Sequence, residues 1–311
     1  MTNEFWSASD DPGAAAVAAW IAELETGGQQ SNPRAVDTAS LLDEFPRLRG
    51  VATTDLVVPG SRGDLPARLY LPPDVPRCAL VWVHGGAYIA GDLDDPSANW
   101  VAYELAARSV LVVSVEYHHA LRGVDGAVLI DDVLAQWASA VAVAARHGVD
   151  AERVHLGGGS AGATLATAAA LRLRDAGEAL PRTLVLVQGL FHPALPPIGP
   201  EIEAALAGLA PEYVFTPAAI RAITSNYAGP TPTPYAFPAL CRLAGLPPAL
   251  LLNAERDTIR ASGEDFALRL EAAGVSTTVV CEPDVTHGHL EYPGDAGALA
   301  TIDRMAGWLL A

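Results

Sequence analysis

Residues 153–175 constrain the fold more than any other part of the chain. The apolar run Arg153–Leu156 leads into Gly157-Gly158-Gly159-Ser160-Ala161-Gly162, and an Ala-rich helical pattern, Ala161–Asp175, follows directly. A strand that becomes a helix within so few residues needs a turn too tight for β-carbons, and glycines on both sides of one serine permit it. In this strand–turn–helix setting Gly158-x-Ser160-x-Gly162 reads as G-x-S-x-G. Such a turn lifts the serine oxygen above the end of a sheet and points the N-terminus of the following helix at it. Ser160 is therefore the candidate nucleophile.

The same residues also spell G-x-G-x-x-G through Gly157, Gly159 and Gly162. A dinucleotide site further needs an acid at the end of the next strand to hold a ribose. Asp175 and Glu178 come before the next strand, Thr183–Gln188, and Gly189-Leu190-Phe191-His192 follows it. The acid is in the wrong place, and no cofactor is expected.

The alternation around this turn predicts the fold class. Strands are expected at Val51–Val58, Leu65–Leu71, Ala79–Val83, Val110–Val115, Arg153–Leu156, Thr183–Gln188, Ala249–Asn253 and Ser276–Cys281. The later runs are short and almost wholly apolar, as strands buried on both faces of a parallel sheet are. Helical patterns at Ser97–Ala107, Leu129–Arg146, Ala161–Asp175, Gly263–Ala273 and Ala296–Leu309 fall between or after them. This is an α/β chain with a mostly parallel, doubly wound sheet that is antiparallel at its first hairpin. Two regions break the alternation. Residues 1–50 hold helical stretches at Ala14–Leu24 and Ala39–Phe45 joined through a polar linker, Gly27–Pro33; residues 191–238 are Pro-punctuated, with helices expected at Pro200–Leu209 and Pro217–Tyr227. Both are expected to fold over the sheet as a lid, the first held by the apolar face of Ala14–Leu24 alone. Trp20, Tyr213, Phe215 and Tyr227 are candidates for lining the pocket beneath.

A second motif lies upstream. The run Val81–Val83 leads into His84-Gly85-Gly86-Ala87-Tyr88. A strand that runs into His-Gly-Gly frees backbone N–H groups from the sheet ladder, where they can serve as part of an oxyanion hole. His84 then fixes the loop. A nucleophilic serine also needs an acid and then a base later in the chain. The buried run Ala249–Asn253 leads into Glu255 and Asp257, and the loop after Ser276–Cys281 holds His287 and His289. Glu255 and Asp257 share strand parity, so spacing does not choose between them, nor between the two histidines.

From about residue 50 onward the chain resembles the hormone-sensitive-lipase-like carboxylesterases of the α/β-hydrolase fold. The resemblance rests on His84-Gly85-Gly86-Ala87-Tyr88 for the family's H-G-G-G-[FYW] and on Gly158-Gly159-Ser160-Ala161-Gly162 for its G-D-S-A-G. Gly245-Leu246-Pro247-Pro248 followed by Asp257 and Arg260 is similar to its G-L-P-P…D-x-L-R, and His287-Gly288 to its H-G-F. The resemblance implies Ser160 as nucleophile, Asp257 as orienting acid and His287 as base, with Gly85, Gly86, Ala87 and Ala161 forming the oxyanion hole. It implies an eight-stranded core over 51–190 and 239–311, N-terminal cap helices within 1–50 and a cap insertion at 191–238. The substrate it implies is a small carboxylic ester, cleaved through an acyl-enzyme. A lactonase, acyltransferase or deacylase acting on a specialised metabolite would use the same triad; a non-catalytic small-molecule binder would tend to lose the base, and His287 is present.

The chain departs from the family pattern at several positions. Ala87 stands for the third glycine of the oxyanion loop, where its methyl favours short acyl groups. Gly159 stands for the acid beside the nucleophile, and His289 for a phenylalanine. Tyr117-His118-His119-Ala120-Leu121-Arg122 stands where the family has Tyr-Arg-Leu-Ala-Pro-Glu, which suggests a remodelled wall of the site. Adjacent His118 and His119 diverge and have no third ligand at metal spacing, so no metal is expected.

Composition excludes further classes. The net charge is −17, and all 19 basic residues are arginine. Such a chain repels phosphate backbones and anionic lipid, so nucleic-acid and membrane-surface partners are not expected. Without lysine, a PLP Schiff base, a P-loop lysine and a Ser–Lys dyad are unavailable. No unbroken apolar run reaches the roughly eighteen residues of a membrane span. Residues 1–11 lack the basic and apolar regions of a secretory signal. Cys78, Cys241 and Cys281 are few and far apart, as suits a reducing cytoplasm. A homodimer is compatible with all of this.

Overall fold

A computed structural model describes residues 11–27 and 35–311. In chain order the elements are α1 (Pro12–Thr26), α2 (Thr38–Glu44), β1 (Ala52–Gly60), β2 (Gly63–Leu71), β3 (Cys78–Val83), α3 (Asn99–Ala106), β4 (Val110–Val115) and α4 (Gly126–Arg146). Then follow β5 (Val154–Gly159), α5 (Ala161–Ala176), β6 (Leu184–Val187), α6 (Pro200–Leu206), α7 (Pro217–Ala228), β7 (Ala249–Arg256), α8 (Arg260–Ala272), β8 (Thr277–Thr286) and α9 (Ala296–Leu309). The linker expected at Gly27–Pro33 lies, except for Gly27, outside the described residues.

The eight strands form one sheet in the order β1-β2-β4-β3-β5-β6-β7-β8. β1–β2 and β2–β4 are antiparallel, and every later pair is parallel. All residues of β3, β4 and β5 are buried, because helices cover both faces. Alternate side chains feed two core clusters: Val81, Val83, Leu111 and Val113 pack with α4, α5 and α8, whereas Leu80, Trp82, Val110 and Val112 pack with α3 and α9. The α4 helix has the length and apolar composition of a membrane span, yet half of that stretch is buried inside the protein, as befits a core helix.

Several boundaries differ from the sequence reading. β5 runs on through its glycines to Gly159, since the backbone of Gly157–Gly159 stays paired to β6. A side chain at Gly157 would come within 2.5 Å of the Val185 carbonyl oxygen, so close strand contact requires glycine there. β8 continues past Cys281, where the sequence predicts a loop, to Thr286; pairing with β7 resumes at Arg256–Thr286 across a register shift. The α8 helix begins at Arg260, and α6 stops at Leu206.

The two irregular regions behave differently. α1 packs on α7, and both lie over the C-terminal ends of the parallel strands. α2 does not join them; its Leu41 sits in the α3/α9 cluster on the other face. Among the described residues of 1–50, α1 alone therefore lies over the sheet ends. Nor is α1 held by apolar contact alone, since Ala14 is its one buried residue among those described. The Asp11 carboxylate caps α1 at the Ala14 N–H (2.9 Å) and accepts from the Thr216 hydroxyl at the start of α7 (2.8 Å). At the other end Arg122 donates to the carbonyls of Leu24 (3.0 Å) and Gly27 (3.1 Å).

Candidate active site

The G-x-S-x-G turn follows from close packing. A β-carbon at Gly158 would meet Gly162 and the Val83 carbonyl oxygen at 2.4–2.6 Å, and one at Gly162 would lie 2.1 Å from that same oxygen. Both flanking glycines are thus required by the end of β3, and neither position admits alanine without displacing backbone. Between them Ser160 adopts φ 52°, ψ −117°, a conformation L-residues seldom occupy. Its N–H donates to the Val187 carbonyl at 2.8 Å, tying the turn to β6.

The structure brings Ser160, His287 and Asp257 together from three separate strand ends. His287 Nε2 lies 3.0 Å from Ser160 Oγ, and His287 Nδ1 lies 2.7 Å from Asp257 Oδ2. The other oxygen of Asp257 accepts the Ile259 N–H at 2.8 Å, so this fully buried carboxylate is engaged on both sides. A carboxylate at Nδ1 selects the tautomer with the proton there, leaving the Nε2 lone pair to accept from the serine. Phe215 meets the imidazole edge-on, with centroids 5.1 Å apart.

Glu255 and His289, which spacing left open, are elsewhere. Glu255 accepts the Asp284 N–H at 2.8 Å, bracing β8. His289 is buried, with Nδ1 3.2 Å from Gln188 Oε1 and Nε2 2.8 Å from the Thr301 hydroxyl.

The His-Gly-Gly loop lies directly against the serine: a β-carbon on Gly85 would be 3.4 Å from Ser160 Cβ. Gly86, Ala87 and Tyr88 all have positive φ (118°, 53° and 66°), and a side chain on Gly86 would strike the Ala90 carbonyl oxygen at 1.9 Å. Gly86, Ala87 and Ala161 line the cavity around Ser160; Ala161 opens α5, so its N–H has no acceptor within the helix. His84 holds the loop from below. Its Nδ1 lies 2.7 Å from the Gly85 carbonyl oxygen and its Nε2 2.8 Å from Glu116. With an acceptor at each nitrogen the ring is an imidazolium. Burial opposes that charge, but Glu116 and the two hydrogen bonds raise the pKa to about 9. Tyr117 stacks on His84 at 4.6 Å and donates to the Gly85 carbonyl at 3.1 Å.

The wall expected from His118 and His119 is not part of the cavity. His118 bonds Asp132 of α4 (2.8 Å), and His119 bonds the Gly91 carbonyl (3.1 Å) at the far end of the oxyanion loop. Among the described residues no group of side chains has the makings of a metal site.

The cavity above Ser160 has a volume of about 510 Å³. Its floor is Trp82, Gly85, Gly86, Ala87, Gly159, Ser160 and Gln188; its roof is Ala16, Val17 and Trp20 of α1, with Tyr213, Phe215, Ile220 and Ile223. Tyr227 is not in the lining: it is fully buried and stacked on Tyr88 at 3.9 Å. Sequence reading missed Gln188, Trp82 and Glu291 in the lining, and Glu116 behind the loop. The signal for Gln188 was present, as a polar residue closing a buried apolar run.

A family model described as an alpha/beta hydrolase fold matches residues 80–291. The chain is 32% identical over 261 residues to the esterase LipI of Mycobacterium tuberculosis, covering 80% of this chain and 77% of that protein. It is 31% identical over 257 residues to an ethyl acetate hydrolase of Pseudomonas putida, covering 78% of each. The crystal structure of an esterase from Pyrobaculum calidifontis superposes with a TM-score of 0.75 at 26% identity, covering 99% of this chain and 95% of that one.

Proposed function

The chain belongs to the hormone-sensitive-lipase-like carboxylesterase family of the α/β-hydrolase fold, and we propose that it hydrolyses short-chain carboxylic esters through an acyl-enzyme on Ser160. The observation that carries this reading is the hydrogen-bonded series Ser160–His287–Asp257 at 3.0 and 2.7 Å beneath a cavity of ligand size. Ser160 Oγ attacks the ester carbonyl while His287 Nε2 takes its proton. The oxygen of the tetrahedral intermediate receives the N–H groups of Gly86, Ala87 and Ala161, with Gly85 packed beside them. His287 then returns the proton to the departing alcohol. Water, deprotonated by the same nitrogen, attacks the acyl-enzyme and releases the acid. Asp257 keeps the imidazole in the required tautomer and stabilises its charged form.

The preference for short chains is supported by the Ala87 methyl beside the reacting carbon and by the roof that α1 and α7 place over the cavity. The three free cysteines suit a reducing cytoplasm. A series of p-nitrophenyl esters tests the substrate class. Acetyl to hexanoyl esters are expected to give the highest kcat/KM, and higher values on long chains would overturn the short-acyl reading.

A further inference from the structure

The loop that carries His287 is held from its far side by a residue outside the triad. Gln188 stands just past β6, beside the strand that delivers Ser160, and is 4% exposed. Its backbone sits at φ 49°, and its N–H donates to the Leu252 carbonyl at 2.8 Å. Its Oε1 accepts the N–H of Gly288 at 2.9 Å and lies 3.2 Å from His289 Nδ1. An amide N–H can only donate, so the atom facing Gly288 is the carboxamide oxygen. That assignment fixes the His289 ring as well. Nδ1 carries the hydrogen and donates to the same oxygen, while Nε2 lies 2.8 Å from the Thr301 hydroxyl, whose other partner is the Gly297 carbonyl at 3.1 Å. Burial, with His287 adding to it, lowers His289 to about 4, so the ring stays neutral in this tautomer across the range where imidazoles ordinarily titrate. A chain of bonds therefore runs from α9 through Thr301, His289 and Gln188 to the peptide next to His287.

The sheet supplies only part of this restraint: Thr286, next to His287, pairs with Arg256, next to Asp257, but as a single pair beyond the register shift. β8 is an edge strand, and its register with β7 shifts between Ala254 and Arg256, just before the strand ends at Thr286. The residues that deliver Asp257 and His287 are thus paired least regularly where their side chains must meet.

We propose that Gln188 is a positioning residue for the base. Holding the Gly288 N–H and the His289 ring, it sets the His287 imidazole between Asp257 and Ser160. This inference rests on the reading of His287 as the base. A displacement near 1 Å in such a group costs on the order of a hundredfold in rate.

The test compares Gln188→Met, which keeps length and packing but removes the acceptor, with Gln188→Glu, which keeps an acceptor. Rates are expressed per active serine, counted by fluorophosphonate labelling carried to completion, so that loss of folded protein does not register. Gln188→Met is expected to lower kcat by about tenfold to a hundredfold with KM changed less than about threefold. Gln188→Glu should recover to within about threefold of wild type at alkaline pH, with the acid limb of its kcat profile moved upward because the added carboxylate favours the imidazolium. If His287→Ala is inactive while Gln188→Met retains kcat within about twofold of wild type, this inference fails and the base assignment stands. An active His287→Ala overturns both. Should Gln188→Met not fold, an unmoved acid limb in Gln188→Glu overturns the proposal.

Discussion

Ser160 and Trp20 line the same cavity, but the elements that carry them are held in different ways. Under Ser160 the restraint is steric: Gly158 and Gly162 touch each other and the end of β3 so closely that no β-carbon fits, and every residue of β5 is buried. Over the cavity, α1 fully buries only Ala14; Val17, Trp20, Ile21 and Leu24 pack half-buried against the core, and polar contacts fasten its ends, Asp11 to Thr216 and Arg122 to Leu24 and Gly27. Close packing has few alternative arrangements, whereas a helix whose apolar side chains are only half-buried has less to break when it shifts. The contrast assigns chemistry to the floor and substrate range to the roof, so changes to each should move different quantities.

Floor substitutions carry the largest expected effects. Ser160→Ala should lower kcat by about 10⁴ to 10⁶-fold with the fold intact by circular dichroism, and more than a tenth of wild-type activity would remove Ser160 from its role. Asp257→Asn and His287→Ala should each cost about three orders of magnitude or more. Glu255→Gln and His289→Phe should stay within about tenfold, because Glu255 braces β8 and His289 keeps both ring nitrogens away from the serine. The reverse ranking of His287 and His289 would place the base on the wrong ring.

Beneath the oxyanion loop the His84–Glu116 pair gives a pH signature that belongs to the floor. The folded pKa of His84, about 9, lies above the ordinary imidazole value, so its stabilisation is fully present below that ordinary value and is lost as pH rises through the folded one. Thermal midpoints measured between neutral pH and pH 10 should therefore fall toward the alkaline end. In Glu116→Gln the same decline should be flatter from a lower starting point. An equal slope in both proteins would separate the decline from this pair.

Roof changes should be smallest and of another kind. Arg122→Ala, or deletion of residues 1–35, is expected to raise kcat/KM on octanoyl and longer esters by about threefold to tenfold relative to acetyl esters, while lowering the melting temperature. A chain-length profile unchanged by both would remove α1 from substrate selection.

Legibility in the sequence follows the same division. The elbow, the apolar strand runs and the His-Gly-Gly loop are local patterns, and most elements lie within a few residues of where the sequence puts them. What could not be read depends on contacts distant in the chain. The sequence predicts a loop after Cys281, yet the strand continues because β7 offers a partner across a register shift. Spacing alone does not separate Asp257 from Glu255, which share strand parity; the family resemblance points to Asp257, and its place beside His287 depends on where β7 stops pairing. His118 and His119 fall beside the site in sequence but behind the loop in space, and the tie from Arg122 to α1 spans 98 residues. Gln188 was visible only as a polar ending to an apolar strand, with no local sign that Gly288 and His289 meet it.

The most direct test of the floor as the seat of chemistry is to map the covalent adduct left by a fluorophosphonate, using intact-protein mass followed by peptide sequencing. One phosphonyl group per chain is predicted, on the peptide that holds Ser160, with labelling slowed by orders of magnitude in His287→Ala and by little in the 1–35 deletion. An adduct on any other residue, or equal labelling rates in wild type and His287→Ala, would contradict the account.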